Sequence, residues 1–174
     1  MVEQKEYKIL TLEYRQDPED KDYGSCIWAR FYFNLDKYEL NITSDCGSYG
    51  HKWPADKNES FLELMSRSSK DYILRKIYGK ADIFDYERTK ERLYELYTEP
   101  EDIKQLDYIF EEIESEYIPN EAGDFVRQFD EYNEGYFADT FEMPEYVYPS
   151  DVLRVCGIFE KDIIPVIKQI LKNS

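Results

Sequence analysis

Residues 26–44 read CIWARFYFNL, then DK, then YELNITS, and this run decides the fold. In Cys26–Leu35, Ile27, Ala29, Phe31, Phe33 and Leu35 fall on one side of an extended chain and Trp28, Arg30, Tyr32 and Asn34 on the other, because successive side chains of a strand point to opposite faces. Aromatic and β-branched types suit such a pleated, half-buried surface. Asp36-Lys37 makes a tight turn, and Tyr38, Leu40 and Ile42 resume the alternation, so the stretch predicts an antiparallel hairpin. Working outward, YKILTLEYR (7–15) predicts a strand before it across the polar loop QDPEDKDYGS (16–25), and a short strand at about 48–53 follows the Asp45–Gly47 turn. Residues 1–55 are thus expected to form a β-meander.

After Pro54 the period changes from two to that of a helix. Phe61, Leu62 and Met65, then Tyr72, Ile73 and Ile77, predict two short helices or one broken near Ser68–Ser69, closed at Gly79. A helix over 84–97 ends before Pro100. The clearest one is 101–117, where Ile103, Leu106, Phe110, Ile113 and Tyr117 recur at spacings of three and four. An amphipathic piece at 121–132 uses Phe125, Phe129 and Tyr132, and 133–149 reads as an aromatic loop or edge strand. Pro149-Ser150-Asp151 caps a last helix leading to 158–172, kinked or restarted near Pro165. A sheet first and helices afterwards is an α+β arrangement: a small N-terminal antiparallel β-sheet followed by a helical C-terminal part (56–174), all within one domain, 1–174.

With 174 residues, 42% of them hydrophobic and 17 Tyr and 10 Phe among these, the chain is unlike an aromatic-poor disordered tail. No apolar run approaches the roughly 20 residues of a membrane span, and Met1 opens into Glu3, Lys5 and Glu6 rather than a signal peptide, so the expectation is a cytoplasmic protein with no membrane partner. Cys26, Cys46 and Cys156 are an odd number without CxxC spacing, which argues for reduced thiols. The net charge is −16, and it is regional. Residues 91–151 hold 19 Asp/Glu against Arg92, Lys104 and Arg127, while the rest of the chain holds 19 acids and 19 bases.

Catalytic signatures are scarce. His51 is the one histidine, so any mechanism that needs an imidazole must run through it. Asp45, Cys46 and His51 offer metal-ligand types, yet zinc sites take paired spacings and Cys26 and Cys156 stand alone, so neither a metal, a cofactor nor a cysteine–histidine hydrolase is expected. Walker, GxGxxG, GxSxG, HExxH and EF-hand spacings are missing. Asp17-Pro18-Glu19-Asp20-Lys21 echoes an acid-and-lysine nuclease pattern but lies in a polar loop, and chance accounts for it.

The acids Glu101, Asp102, Asp107, Glu111, Glu112, Glu114 and Glu116, with Asp130, Glu131 and Glu134 further on, are the candidate site. A charge run is commonly a solvated face. The functional reading is nucleic-acid mimicry, in which carboxylates on a scaffold offer a basic groove what it expects from phosphates. Tyr132, Tyr136, Phe137, Phe141, Tyr146 and Tyr148 would add apolar anchors, unless they are core.

The stretch Ile42-Thr43-Ser44-Asp45-Cys46-Gly47-Ser48-Tyr49-Gly50-His51-Lys52-Trp53, followed by Phe61-Leu62-Glu63-Leu64-Met65 and Asp71-Tyr72-Ile73-Leu74-Arg75-Lys76, resembles a protein type encoded by bacteriophages and prophages. It covers under a quarter of the chain and carries no catalytic residue. The resemblance implies phage origin, and the acidic chain as a whole is similar in style to anti-CRISPR proteins. The expectation is therefore an inhibitor that binds a host CRISPR nuclease, or another basic nucleic-acid-binding protein, without binding DNA itself. The alternatives are a small metal-dependent nuclease using Asp107 and Glu111, and a phage accessory protein that binds another partner.

Overall fold

The computed structural model describes residues 3–21, 23–56 and 58–173; Met1, Val2, Asp22, Lys57 and Ser174 lie outside it, and with them the opening methionine and one residue of the polar loop. The chain divides into two compact units, one made of the described residues up to Lys80 with those from Pro149 onward, the other of Ala81–Tyr148.

In the first unit four strands, β1 (Ile9–Arg15), β2 (Trp28–Asn34), β3 (Glu39–Ser44) and β4 (Gly47–Lys52), pair antiparallel in chain order. The register sets Leu12 against Phe31 and Phe31 against Ile42, and Leu10 against Phe33 and Phe33 against Leu40. One face is therefore apolar; Ala29, Phe31, Phe33, Leu40 and Ile42 are fully buried on it. The other face is polar and carries the cross-strand pair Glu13–Arg30 at 2.9 Å. The β2–β3 turn spans four residues, 35–38, rather than the two-residue turn that Asp36-Lys37 suggested. Tyr38 closes it at φ 54°, in the left-handed region that a bulky residue rarely visits. Its ring packs on Phe61 at 5.4 Å and its hydroxyl donates to the Glu59 carbonyl, and these contacts hold the strained backbone in place. The β3–β4 turn is Asp45-Cys46, followed by Gly47 at φ 107°, a conformation that strains any residue with a Cβ.

Helices cover the apolar face. α1 (Phe61–Ser66) starts in a capping box, with Ser60 and Glu63 each accepting the other's backbone N–H, and α2 (Lys70–Ile77) starts on Ser69, so the break near Ser68–Ser69 is a pair of caps. Phe61 lies 6.2 Å from Phe33 and 5.5 Å from Trp53. Two further helices close this unit; in the chain they follow the second unit and are numbered accordingly. α6 (Ser150–Ile158) passes through a π-helical segment, Phe159–Ile163, into α7 (Ile164–Lys172). The widened turn precedes Pro165, which has no N–H for the helical ladder, and this is the restart expected there. Phe159 reaches the sheet at 6.1 Å from Phe31.

The second unit opens and closes on a two-stranded ribbon, β5 (Ile83–Phe84) against β6 (Tyr146–Val147), with Ile83 opposite Val147. Between them lie α3 (Tyr86–Leu96), α4 (Pro100–Glu116), α5 (Ala122–Asn133) and a turn of 3-10 helix, Thr140–Glu142. The segment 133–149, read as a loop or edge strand, thus holds that turn and β6. The core is Leu93, Leu106, Ile109, Phe110, Ile113, Phe125, Phe129 and their neighbours. Two members of the expected α4 stripe change place: Ile103 and Tyr117 are exposed, and Ile109 is buried in their stead. Strict 3.5-residue spacing drifts round a helix of 3.6 residues per turn, so the ends of a long stripe leave the core while its middle stays in.

Candidate acidic docking surface

The structural division coincides with a division of charge. Residues 81–148 carry 21 Asp/Glu and 5 Lys/Arg, a balance of −16, whereas the rest of the chain carries 17 of each and is neutral. The acids sit at both ends of the helices: Glu87 in α3, Glu101 and Asp102 in α4 and Asp124 in α5 occupy first turns, where the helix dipole favours them, and others sit in last turns, where it does not. α3, α4 and α5 all lack a basic residue in the last turn, and α4 ends on Glu114 and Glu116 and α5 on Asp130 and Glu131. The negative end of a helix dipole disfavours carboxylates by about 0.3–1 kcal/mol each at exposed sites.

α4 presents its seven acids in two ways. On its flanks, four are held by tyrosine hydroxyls from the neighbouring elements. Tyr94 donates to Asp107 at 2.8 Å and Tyr86 to Glu114 at 3.1 Å from α3, while Tyr132 donates to Glu116 and Tyr136 to Asp102, both at 2.8 Å, from the α5 side. Lys90 adds an ion pair to Glu114, and this bond holds the Glu114 carboxyl below its usual range. Burial, then the bonded carboxylates, push the Tyr86 and Tyr94 hydroxyls well above their ordinary value. The bond to Glu116 pushes Tyr132 up to about 12, and the bond to Asp102 raises Tyr136. A phenol O–H donated to a carboxylate is a charge-assisted bond, so these four side chains are fixed in direction. On the outward side, Glu101, Glu111 and Glu112 make no side-chain hydrogen bond or ion pair among the described residues, and neither do Asp130, Glu131 and Glu134. Glu134 ends α5 in the left-handed conformation at φ 48°, and Asn133 clamps the following turn by bonding both ways with the Phe137 backbone. Elsewhere in the unit Glu145 pairs with Arg92 at 2.6 Å and Asp124 with Arg127 at 3.2 Å.

The aromatic residues split between core and surface. Phe137 is buried, whereas Phe141 is 83% exposed and borders a depression of about 360 Å³ with Val126, Pro144 and Tyr146, close to Asp130. An apolar side chain this exposed, beside a hollow and inside a polyanionic unit, is what an interface anchor requires.

Chemistry is less well provided for. Asp107 is engaged by Tyr94, and neither it nor Glu111 belongs to a group of three or more metal-ligating side chains among the described residues. His51 on β4 lies opposite Leu40 and packs edge-on against Trp53 at 4.6 Å, and burial followed by Lys76 lowers its pKa. It stands outside the cluster that Asp45 and Cys46 do form. That cluster contains Cys26, which the sequence reading left alone: the two sulfurs and a carboxylate oxygen lie within 4.8 Å of one another. The β2–β3 register, with Ala29 opposite Ser44, is the signal that could have found it, since extending it toward Cys26 brings the chain to the Asp45–Gly47 turn. All three cysteines are free and buried.

Among the described residues no helix is long and apolar enough to cross a membrane. A protein-family model, Phage_phiTE_072, described as a phage family, matches residues 1–173. No curated protein and no solved structure matches the chain.

Proposed function

Since the chain belongs to this phage family, we propose that it is a phage-encoded inhibitor that acts by binding, and that residues 81–148 dock into a basic nucleic-acid groove of a host protein, foremost an RNA-guided nuclease of a CRISPR system. One observation carries the reading: the whole net charge of −16 is confined to one structural unit. Selection for solubility alone gives no reason for that confinement. A phage product meets host proteins that grip phosphates, and a folded polyanion competes for such a groove through the same counterion release that drives nucleic-acid binding. The tyrosine bonds favour this by fixing carboxylates before contact, which lowers the ordering cost of association. α4 spans about 25 Å, enough to follow several phosphates. Phe141 supplies the apolar anchor beside the charge.

The test is direct binding to a purified guide-free CRISPR nuclease of type II over a salt series. Affinity falls steeply with salt for the unaltered protein. The triple reversal Glu101→Lys, Glu111→Lys, Glu112→Lys weakens binding at low salt and flattens the slope, since each neutralised phosphate contributes about 0.9 to it on B-DNA. Phe141→Ala weakens binding and leaves the slope intact. Three reversals in the neutral unit, at Glu3, Glu6 and Glu19, change little, and guide loaded beforehand protects the nuclease. Salt-insensitive binding that ignores the triple reversal reduces the acids to a solvated face.

A further inference from the structure

We infer that Cys26, Cys46 and Asp45 form a binding site for a thiophilic divalent cation of the zinc type, in the neutral unit and independent of the acidic surface. The donor set is assembled by the sheet rather than by sequence spacing. Asp45 and Cys46 are the two residues of the β3–β4 turn, and Cys26 precedes β2, which pairs with β3. The three ligand atoms lie within 4.8 Å of one another, so small side-chain rotations bring them to the separations of a tetrahedral site with bonds of about 2.3 Å to sulfur and 2.0–2.2 Å to oxygen. Both cysteines are shielded, at 2% and 5% exposure, while Asp45 is open to solvent.

The surroundings supply what such a site needs besides ligands. The Asp45 carboxylate accepts the Ile27 and Trp28 backbone N–H groups at 2.9 and 3.3 Å, which orients it before any ion arrives. Without an ion the thiols are donors, Cys26 Sγ to an Asp45 oxygen at 3.5 Å and Cys46 Sγ to the Ser25 carbonyl at 3.0 Å, and the cation takes the place of both thiol protons. A depression of about 570 Å³, bordered by Tyr14, Ser25, Cys26, Lys70 and Arg154, reaches Cys26, and the exposed Asp45 is the side from which a water can come as fourth ligand. Binding expels one proton from each thiol to solvent; two thiolates and one carboxylate then face a 2+ ion, a net charge of −1, and Arg154, bonded to the Ser25 carbonyl at 2.9 Å, stands beside it. Sulfur donors select zinc-type ions over magnesium and calcium.

Cobalt(II) titrated into the reduced full-length protein reads the site directly. We expect one equivalent to bind, with a thiolate-to-cobalt charge-transfer band and intense tetrahedral ligand-field bands, and zinc to bleach them. Cys26→Ser and Cys46→Ser abolish the charge-transfer band or halve it, Asp45→Asn weakens binding at least tenfold, and Cys156→Ser leaves everything unchanged. Zinc raises the melting temperature of the unaltered protein, a readout independent of whether a variant folds. The inference is overturned if the reduced protein shows no charge-transfer band with cobalt, if the band depends on Cys156, or if only a Cys26–Cys46 disulfide forms and the reduced thiols take no ion.

Discussion

Tyr86, Tyr94, Tyr132 and Tyr136 each spend their hydroxyl on a carboxylate of α4, and that choice fixes a pH dependence. A tyrosine whose folded pKa is raised binds its proton more tightly when folded, so its stabilising contribution is fully present below the ordinary value near 10 and is lost as pH rises through the folded one. Denaturant unfolding followed between pH 9 and about 12 is expected to show a falling stability, steepened because each tyrosinate adds to an already negative unit. The double substitution Tyr86→Phe, Tyr94→Phe lowers stability at pH 8 by about 1–2 kcal/mol, since two hydrogen bonds go and Glu114 and Asp107 lose a donor, and makes the alkaline loss shallower. An alkaline slope unchanged by the double substitution contradicts the assignment. None of these pairs was legible in the sequence: Tyr86 and Glu114 are 28 residues apart and Tyr136 and Asp102 are 34 apart, and hydroxyl–carboxylate bonds leave no periodic trace. The same holds for Cys26 and Cys46, whose proximity is a matter of strand register.

Helices and strands, by contrast, announce themselves locally, because period and capping are properties of short windows. The four strands, the break near Ser68–Ser69 and the helices of the acidic region all lie within a few residues of where alternation and spacing put them, whereas the cap at Ser60 is seen only in the structure. β5 leaves no trace in the sequence and β6 falls within 133–149, where loop and edge strand both stay open, since two residues cannot display a period and exist only as a pair. Capping also separates neighbouring helices. The Asp85 side chain accepts the Arg88 N–H at the start of α3, whereas Glu99 makes no side-chain cap for α4. Asp85→Ala should cost about 1 kcal/mol and Asp85→Ser almost nothing, while Glu99→Ser should stabilise by up to about 1 kcal/mol. The shift of the denaturant midpoint at constant m-value measures both. A neutral or destabilising Glu99→Ser would show that α4 begins elsewhere.

For the molecule, the division into a neutral and a polyanionic unit matters most. The charge is legible in the sequence, and length alone suggests one domain, whereas the two compact units, one inserted in the other, are defined only by contacts. The β5–β6 ribbon sets Ile83 beside Val147, so the entry and exit of the acidic unit are neighbours. Replacing 81–148 with a short Gly-Ser bridge is therefore expected to leave a folded protein of zero formal charge that keeps its tryptophans Trp28 and Trp53, with emission spectrum and cooperative melting like the full chain's, but does not bind the nuclease. Loss of cooperative melting would mean that the neutral part depends on the acidic one. The topology also sets an order on synthesis. Phe31 leaves the ribosome early, yet Phe159, which packs on it, follows only after the 68 residues of the acidic unit have been made. At roughly 5–20 residues per second the nascent sheet waits several seconds with part of its apolar face unclosed. The polyanion is complete first, and the neutral sheet is sealed last, by the C-terminal helices.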